Sequence, residues 1–176
     1  MPISTTAGMK ICGAVLGVAL AALPLAAADK ETAPVPAQIP AARKVFLSNA
    51  GVDGMALTIL KRAGDSDQPY NQVYAAMKSW GGFEMVGAPS DADLILEVRF
   101  SVQLSDCGKL ASYQPLLALT ILDSKTHFIL WTIAEPVEGA VLAKTWEKNI
   151  GQGIANLVAD LKSLAARPDA GGGTKQ

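Results

Sequence analysis

The chain has 176 residues, half of them apolar, with 15 basic against 16 acidic side chains. A chain this apolar is no disordered solvating polymer, and a formal net charge of −1 argues against electrostatic capture of nucleic acid. The length suits one domain with tails.

Residues 1–28 read as a signal peptide. Lys10 is the only charge before Asp29. The apolar run Ile11 to Leu25 follows, and Ala26-Ala27-Ala28 supplies the small residues a signal peptidase accepts. The run is short for a hydrocarbon core of ~30 Å, so cleavage after Ala28 is expected, with no stable membrane span in what remains. Cys12 opens the apolar run, whereas a lipobox cysteine follows one, so lipidation there is not expected. Removal of the leader leaves Cys107 as the one thiol. A single cysteine makes no internal disulfide. In an oxidising compartment it is either packed and inert or free to pair between chains. The mature protein is expected in the periplasm or the medium.

Residues 29–43 carry Pro34, Pro36 and Pro40 among alanines and predict an extended linker. Residues 44–166 form the single domain, and 167–176 a loose glycine-rich tail. Lys44 to Ser48 reads as a strand ended by Asn49-Ala50-Gly51. Residues 51–68 are ambiguous: Met55 to Arg62 fits either a helical turn or a strand, and Gly64-Asp65-Ser66-Asp67 reads as loop. Tyr70, Val73, Tyr74, Met77 and Trp80 then recur at helical spacing, opened by Pro69 and stopped by Gly81-Gly82. Phe83 to Val86 is a short strand. Leu94, Leu96, Val98, Phe100 and Val102 alternate with Glu97, Arg99, Ser101 and Gln103, the mark of a strand with one buried face; Ile95 breaks the alternation. Residues 105–115 are expected as loop.

Leu116–Leu122 and Phe128–Ala134 flank Asp123-Ser124-Lys125-Thr126 and predict a hairpin, with a loop longer than two residues because Ser124-Lys125 is not a preferred two-residue turn. Setting Asp123 opposite Thr126 puts Ile121 against Phe128 and Leu119 against Leu130 on one face. The other face then carries Ala118 with Trp131 and Leu116 with Ile133. Residues 137–144 have no clear pattern. Trp146, Ile150, Ile154, Leu157, Val158, Leu161 and Leu164 form the apolar stripe of a second helix, in which Gly151 and Gly153 each cost about 1 kcal/mol relative to Ala. The expected fold is α+β: a two-layer sandwich with a mainly antiparallel sheet of four to five strands and two helices on one face.

The stretch Trp80-Gly81-Gly82-Phe83-Glu84-Met85-Val86, then Ala92-Asp93-Leu94-Ile95-Leu96-Glu97-Val98, resembles a passage of bacterial envelope domains. Leu119-Thr120-Ile121-Leu122-Asp123-Ser124-Lys125-Thr126 followed by Leu130-Trp131 is similar to the hairpin of an uncharacterised family of periplasmic lipoproteins. The order of elements over residues 44–166 is similar to that of TolB amino-terminal and CsgG-like domains. The resemblance implies a small envelope domain with no catalytic residues to carry over, and the TolB likeness implies protein–protein contact.

The residues offer little chemistry. His127 is the sole histidine, and no CxxC or HExxH spacing supports a metal site. Asp123, Ser124 and His127 sit on a hairpin tip, which suits a solvated turn better than a hydrolase triad. Asp91 and Asp93 flank a strand entry and suit backbone capping better than acid–base work or calcium binding. Gly151-x-Gly153 lacks the third glycine of a dinucleotide loop. No catalytic, cofactor or metal residue is assigned. The expectation is a non-enzymatic exported module that binds an envelope protein or serves in assembly, with Leu116, Ala118, Ile129, Trp131 and Ile133 as its contact surface and Cys107 as a free thiol. The alternatives are a small-molecule or lipid-binding module, which needs an apolar pocket, and a hydrolase. Oligomeric state is not legible.

Overall fold

Two long apolar stripes and a run of alternating strands can bury themselves only by stacking helices on one face of a sheet. The computed structural model describes residues 33–63, 66–106 and 111–166. The expected signal peptide, the start of the linker, Cys107 and the carboxyl-terminal tail lie outside them. From Pro34 on, the chain is one unit. In chain order it contains α1 (Gln38–Ala41), β1 (Lys44–Val52), α2 (Gly54–Ala63), α3 (Gln68–Trp80), β2 (Glu84–Met85), a 3-10 turn (Pro89–Asp91), β3 (Leu94–Asp106), β4 (Ala111–Asp123), β5 (Ile129–Pro136) and α4 (Ala143–Ala165). The strands form one sheet in the order β2-β1-β3-β4-β5. β1 runs parallel to both β2 and β3, while β3, β4 and β5 are antiparallel. The fold is α+β with an open five-stranded sheet.

One core cluster joins all four helices to one face of that sheet. Val45 and Leu47 of β1, Leu94, Leu96, Val98 and Phe100 of β3, and Leu117, Leu119 and Ile121 of β4 meet Ile39 of α1, Ala56 of α2, Val73 and Met77 of α3, and the stripe from Trp146 to Leu161 of α4. The α4 stripe recurs at three and four residues as its sequence demands. Phe100 and Trp146 meet edge to face at 6.0 Å. Gly153 lets α4 approach the loop after β5, where a Cβ would stand 3.1 Å from Val137 Cγ2.

Several segments depart from the sequence reading. The linker expected over 29–43 contains the turn of helix α1, because Ile39 is wholly buried and Ala42 nearly so; apolar anchoring outweighs proline density there. Of residues 51–68, Gly51 and Val52 complete β1, Gly54–Ala63 form the helix α2, and Gln68 opens α3; Gly64 and Asp65 lie outside the described residues. The expected loop 105–115 is largely strand: β3 and β4 stay paired out to Asp106 opposite Ala111. They form a two-stranded arm beyond the last partners of β1 and β5.

The register of the β4–β5 hairpin also differs. Its loop is longer than two residues, as Ser124-Lys125 leads one to expect, since Asp123 N–H donates to Phe128 O at 3.0 Å and His127 N–H donates to Asp123 O at 2.9 Å. His127 takes a left-handed φ of 60° to close it. A bulge follows: Leu122 pairs with Ile129, but Ile121 pairs with Trp131 and Leu119 with Ile133. One extra residue reverses the facing of everything beyond it. Trp131 and Ile133 therefore lie on the helix side, not opposite Ala118 and Leu116 on the other.

Candidate functional site

The face of the sheet turned away from the core carries the residues that alternate with it. Lateral pairing sorts them into rows. Phe46, Ile95, Leu122 and Ile129 form an apolar row across four strands. Ser48, Glu97, Thr120 and Thr132 form the next. Arg99, Ala118 and Ala134 follow, then Ser101, Leu116 and Pro136. Ile95 is only 7% exposed yet stands outside the helix-side cluster, which fits a place between Phe46 and Leu122. At the end of that row Ile129 is 66% exposed, and Phe128 beside it 73%.

Glu97 and Arg99 lie two apart on β3, so they project from the same face. The one ion pair among the described residues is Lys44–Glu84 at 3.9 Å. Among the described residues Glu97 and Arg99 thus have no ion-pair partner, and they stand, one of each sign, between the apolar row and Leu116. Such a surface can bury apolar area and can match two opposite charges on a partner.

The five contact residues expected from sequence divide between the faces. Leu116, Ala118 and Ile129 lie on the open face, the first two half-buried. Ile133 is buried in the core and Trp131 packs against it. Phe46, Ile95 and Leu122 belong to the open face and were not among the expected contacts. The apolar Ile95 among polar neighbours was the sequence signal that pointed to them.

Of the other carboxylates singled out by sequence, Asp93 and Asp123 act on the backbone, whereas Asp91 Oδ1 accepts the Ser90 hydroxyl at 3.2 Å and not the backbone amide expected of it. Asp93 Oδ2 accepts the N–H groups of Arg43 and Lys44 at 2.8 and 2.9 Å, which ties the entry of β1 to that of β3. Those two bonds, Arg43 first, hold its carboxyl below the usual aspartate range. Asp123 Oδ1 accepts from Thr126 N, Thr126 Oγ1 and Lys125 N. The bonds to Thr126 are the main cause of its lowered pKa. Its bonds thus close the turn, and His127 points from an exposed position. Asp53, not foreseen from sequence, bonds Ala56 N with one oxygen and Val102 N with the other, at 2.7 and 2.8 Å. It caps α2 and holds the base of the β3–β4 arm.

Among the described residues no three His, Cys, Asp or Glu side chains stand close enough to hold a metal ion, and no helix is long and apolar enough to cross a membrane. Two grooves flank α4. One, of about 340 Å³, lies between β5 and Asp160, Ser163 and Leu164. The other, of about 360 Å³, is lined by polar residues including Glu138, Lys148 and Asn149 together with Pro136 and Gly153.

No family model and no curated protein matches the chain. Among solved structures it is similar to the hypothetical protein CT253 from Chlamydia trachomatis, at 7% identity over 70% of this chain and 98% of that one, with a TM-score of 0.45. It is similar to a minor lipoprotein from Acinetobacter baumannii, at 13% identity over 70% and 92% of the two chains, with a TM-score of 0.35. Lipoprotein GNA1162 from Neisseria meningitidis is similar at 12% identity over 65% and 99%, with a TM-score of 0.33. Bacterial lipoproteins thus stand among the structures this chain resembles.

Proposed function

We propose that this protein is an exported, non-catalytic module of the bacterial envelope that binds another protein, or holds an assembly together, through the open face of its sheet. The observation that carries this reading is the apolar row Phe46–Ile95–Leu122–Ile129 beside Glu97 and Arg99, on the face opposite the core that the helices share. The leader expected at residues 1–28 and the sequence resemblance of residues 44–166 to a family of periplasmic lipoproteins favour that compartment. Binding would bury apolar surface at about 25 cal/mol per Å² before association costs, and the two charges would set orientation more than affinity.

Gel filtration of native envelope extracts tests the reading. The wild-type protein should elute in a complex. A variant carrying Arg99→Glu and Leu116→Glu, with an unchanged circular dichroism spectrum, should elute free. Elution of the variant in the same complex would remove the open face from the account.

A further inference from the structure

Asn149, Gln152 and Asn156 of α4 recur at three and four residues, so their side chains stand in one row on the helix. All three are carboxamides, neutral groups that both donate and accept hydrogen bonds. They line the groove of about 360 Å³ together with Pro136, the last residue of β5, and Glu138 just beyond it. Gly153 lies beside the row and is buried. A Cβ there would stand 3.1 Å from Val137 Cγ2, so the glycine lets the helix and the loop after β5 come this close. Two hydrogen bonds hold the row in place. Asn149 Nδ2 donates to Glu138 O at 3.0 Å, and Gln152 Nε2 donates to Asn156 Oδ1 at 2.9 Å. Those bonds leave Asn149 Oδ1 and Gln152 Oε1 as acceptors and Asn156 Nδ2 as a donor, already oriented, which lowers the ordering cost of binding.

The lining selects among ligands. Glu138 and Lys148 contribute one charge of each sign and do not pair with each other, the one ion pair among the described residues being Lys44–Glu84. Their charges cancel, which favours neither a phosphate nor a metal cation. A row of carboxamides does not suit an acyl chain, whose site is mostly apolar. Hydroxyl groups donate and accept at once, as carboxamides do. Pro136 and the methylene stem of Lys148 add a patch of C–H surface beside them. We propose that this groove binds a saccharide, whose hydroxyls pair with Asn149, Gln152 and Asn156 and whose C–H face lies on Pro136. Its volume falls near the lower end of the range for small-molecule sites, roughly 300–1,000 Å³, and suits the end of a short sugar. The groove is open to water, so the affinity is low, with a Kd of about 1–10 mM. The site belongs to α4 and the loop before it, and it does not depend on the protein-binding reading of the open sheet face.

Proton–nitrogen correlation NMR of the purified full chain, titrated with glucose, galactose, N-acetylglucosamine, maltose and cellobiose, tests the proposal. At least one of these sugars should shift the side-chain amides of Asn149, Gln152 and Asn156 and the backbone amide of Gly153, and the shifts should saturate. Gln152→Ala with Asn156→Ala, both at exposed positions where alanine favours the helix, should weaken that binding about tenfold. Glu138→Gln with Lys148→Gln removes both charges and should leave the affinity within about twofold. Glycine, titrated as a zwitterion without hydroxyl groups, should give no saturable shift. The proposal is overturned by the absence of a saturable shift with any of the sugars, by shifts centred on another surface, or by unchanged affinity in the alanine variant. Loss of binding in the glutamine variant, or saturation by glycine alone, would overturn it too and make the groove a site for a zwitterion.

Discussion

Trp80 and Gly82 compete for the same space: a Cβ on Gly82 would overlap the six-membered ring of the Trp80 indole. That ring meets the edge of Phe83 at a centroid distance of 5.1 Å, and Lys162 Nζ of α4 lies 5.6 Å from its centre. Gly82 therefore lets the end of α3 fold back under its own tryptophan and dock α4. Gly82→Ala should destabilise the protein by about 1–3 kcal/mol, the usual cost of forcing side chains from a packed site. Urea denaturation followed by tryptophan fluorescence measures it, and unchanged stability would mean that the indole moves aside freely.

Asp53 joins two elements through one carboxylate. Asp53→Ala removes the cap of α2 and the acceptor for Val102 N–H, and should cost about 1–2 kcal/mol. Hydrogen exchange separates the two effects. The Val102 amide should exchange much faster in the variant, while the Leu96 amide, deep in the sheet, should change only with global stability.

Acid should weaken the fold partly through Asp93. Its folded carboxyl titrates below the ordinary value of 3.8, mainly because of the N–H groups of Arg43 and then Lys44. The unfolded chain binds that proton at the ordinary value. The stabilisation is therefore complete above the ordinary value and is lost as pH falls through the lower, folded one. Asp123 adds to it with the same sign. Melting temperature against pH from about pH 6 to about pH 2 should fall less steeply in Asp93→Asn than in wild type. Parallel curves would mean that these bonds do not distinguish the two protonation states.

The bulge in β5 makes opposite forecasts for two isoleucines. Ile133 is 6% exposed and Ile129 66%. Ile133→Ala should cost about 2–4 kcal/mol, and Ile129→Ala less than about 1 kcal/mol. The unbulged register, with Ile133 opposite Leu116 on the face turned away from the core, would not give that contrast. Chemical denaturation of the two variants decides between them.

These residues also mark how far the sequence alone reaches. α3 and α4 are legible because their apolar residues keep helical spacing, and because Gly81, at φ 66° with its N–H bonded to Met77 O, ends α3 where a left-handed residue is required. β3 is legible from its alternation. The bulge is not, because Ile129-Leu130-Trp131 is apolar at every position and one extra residue leaves no trace in such a run. It is that residue which sends Trp131 and Ile133 to the core and removes them from the expected contact surface. The β3–β4 arm escapes for a different reason. Its strands mix exposed apolar residues such as Leu104 and Tyr113 with polar ones and carry Pro115, and beyond Val102 they pair with each other rather than over the core. α1 is hidden because one buried side chain, Ile39, anchors it among prolines.

The claim that the face of the sheet turned away from the core is where a partner docks is tested most directly by photocrosslinking in living cells. A photoreactive amino acid at Ala118, in the middle of that face, should capture a discrete envelope protein. The same group at Ala155, on the exposed side of α4, should capture none. Capture at Ala155 with silence at Ala118 would contradict the account.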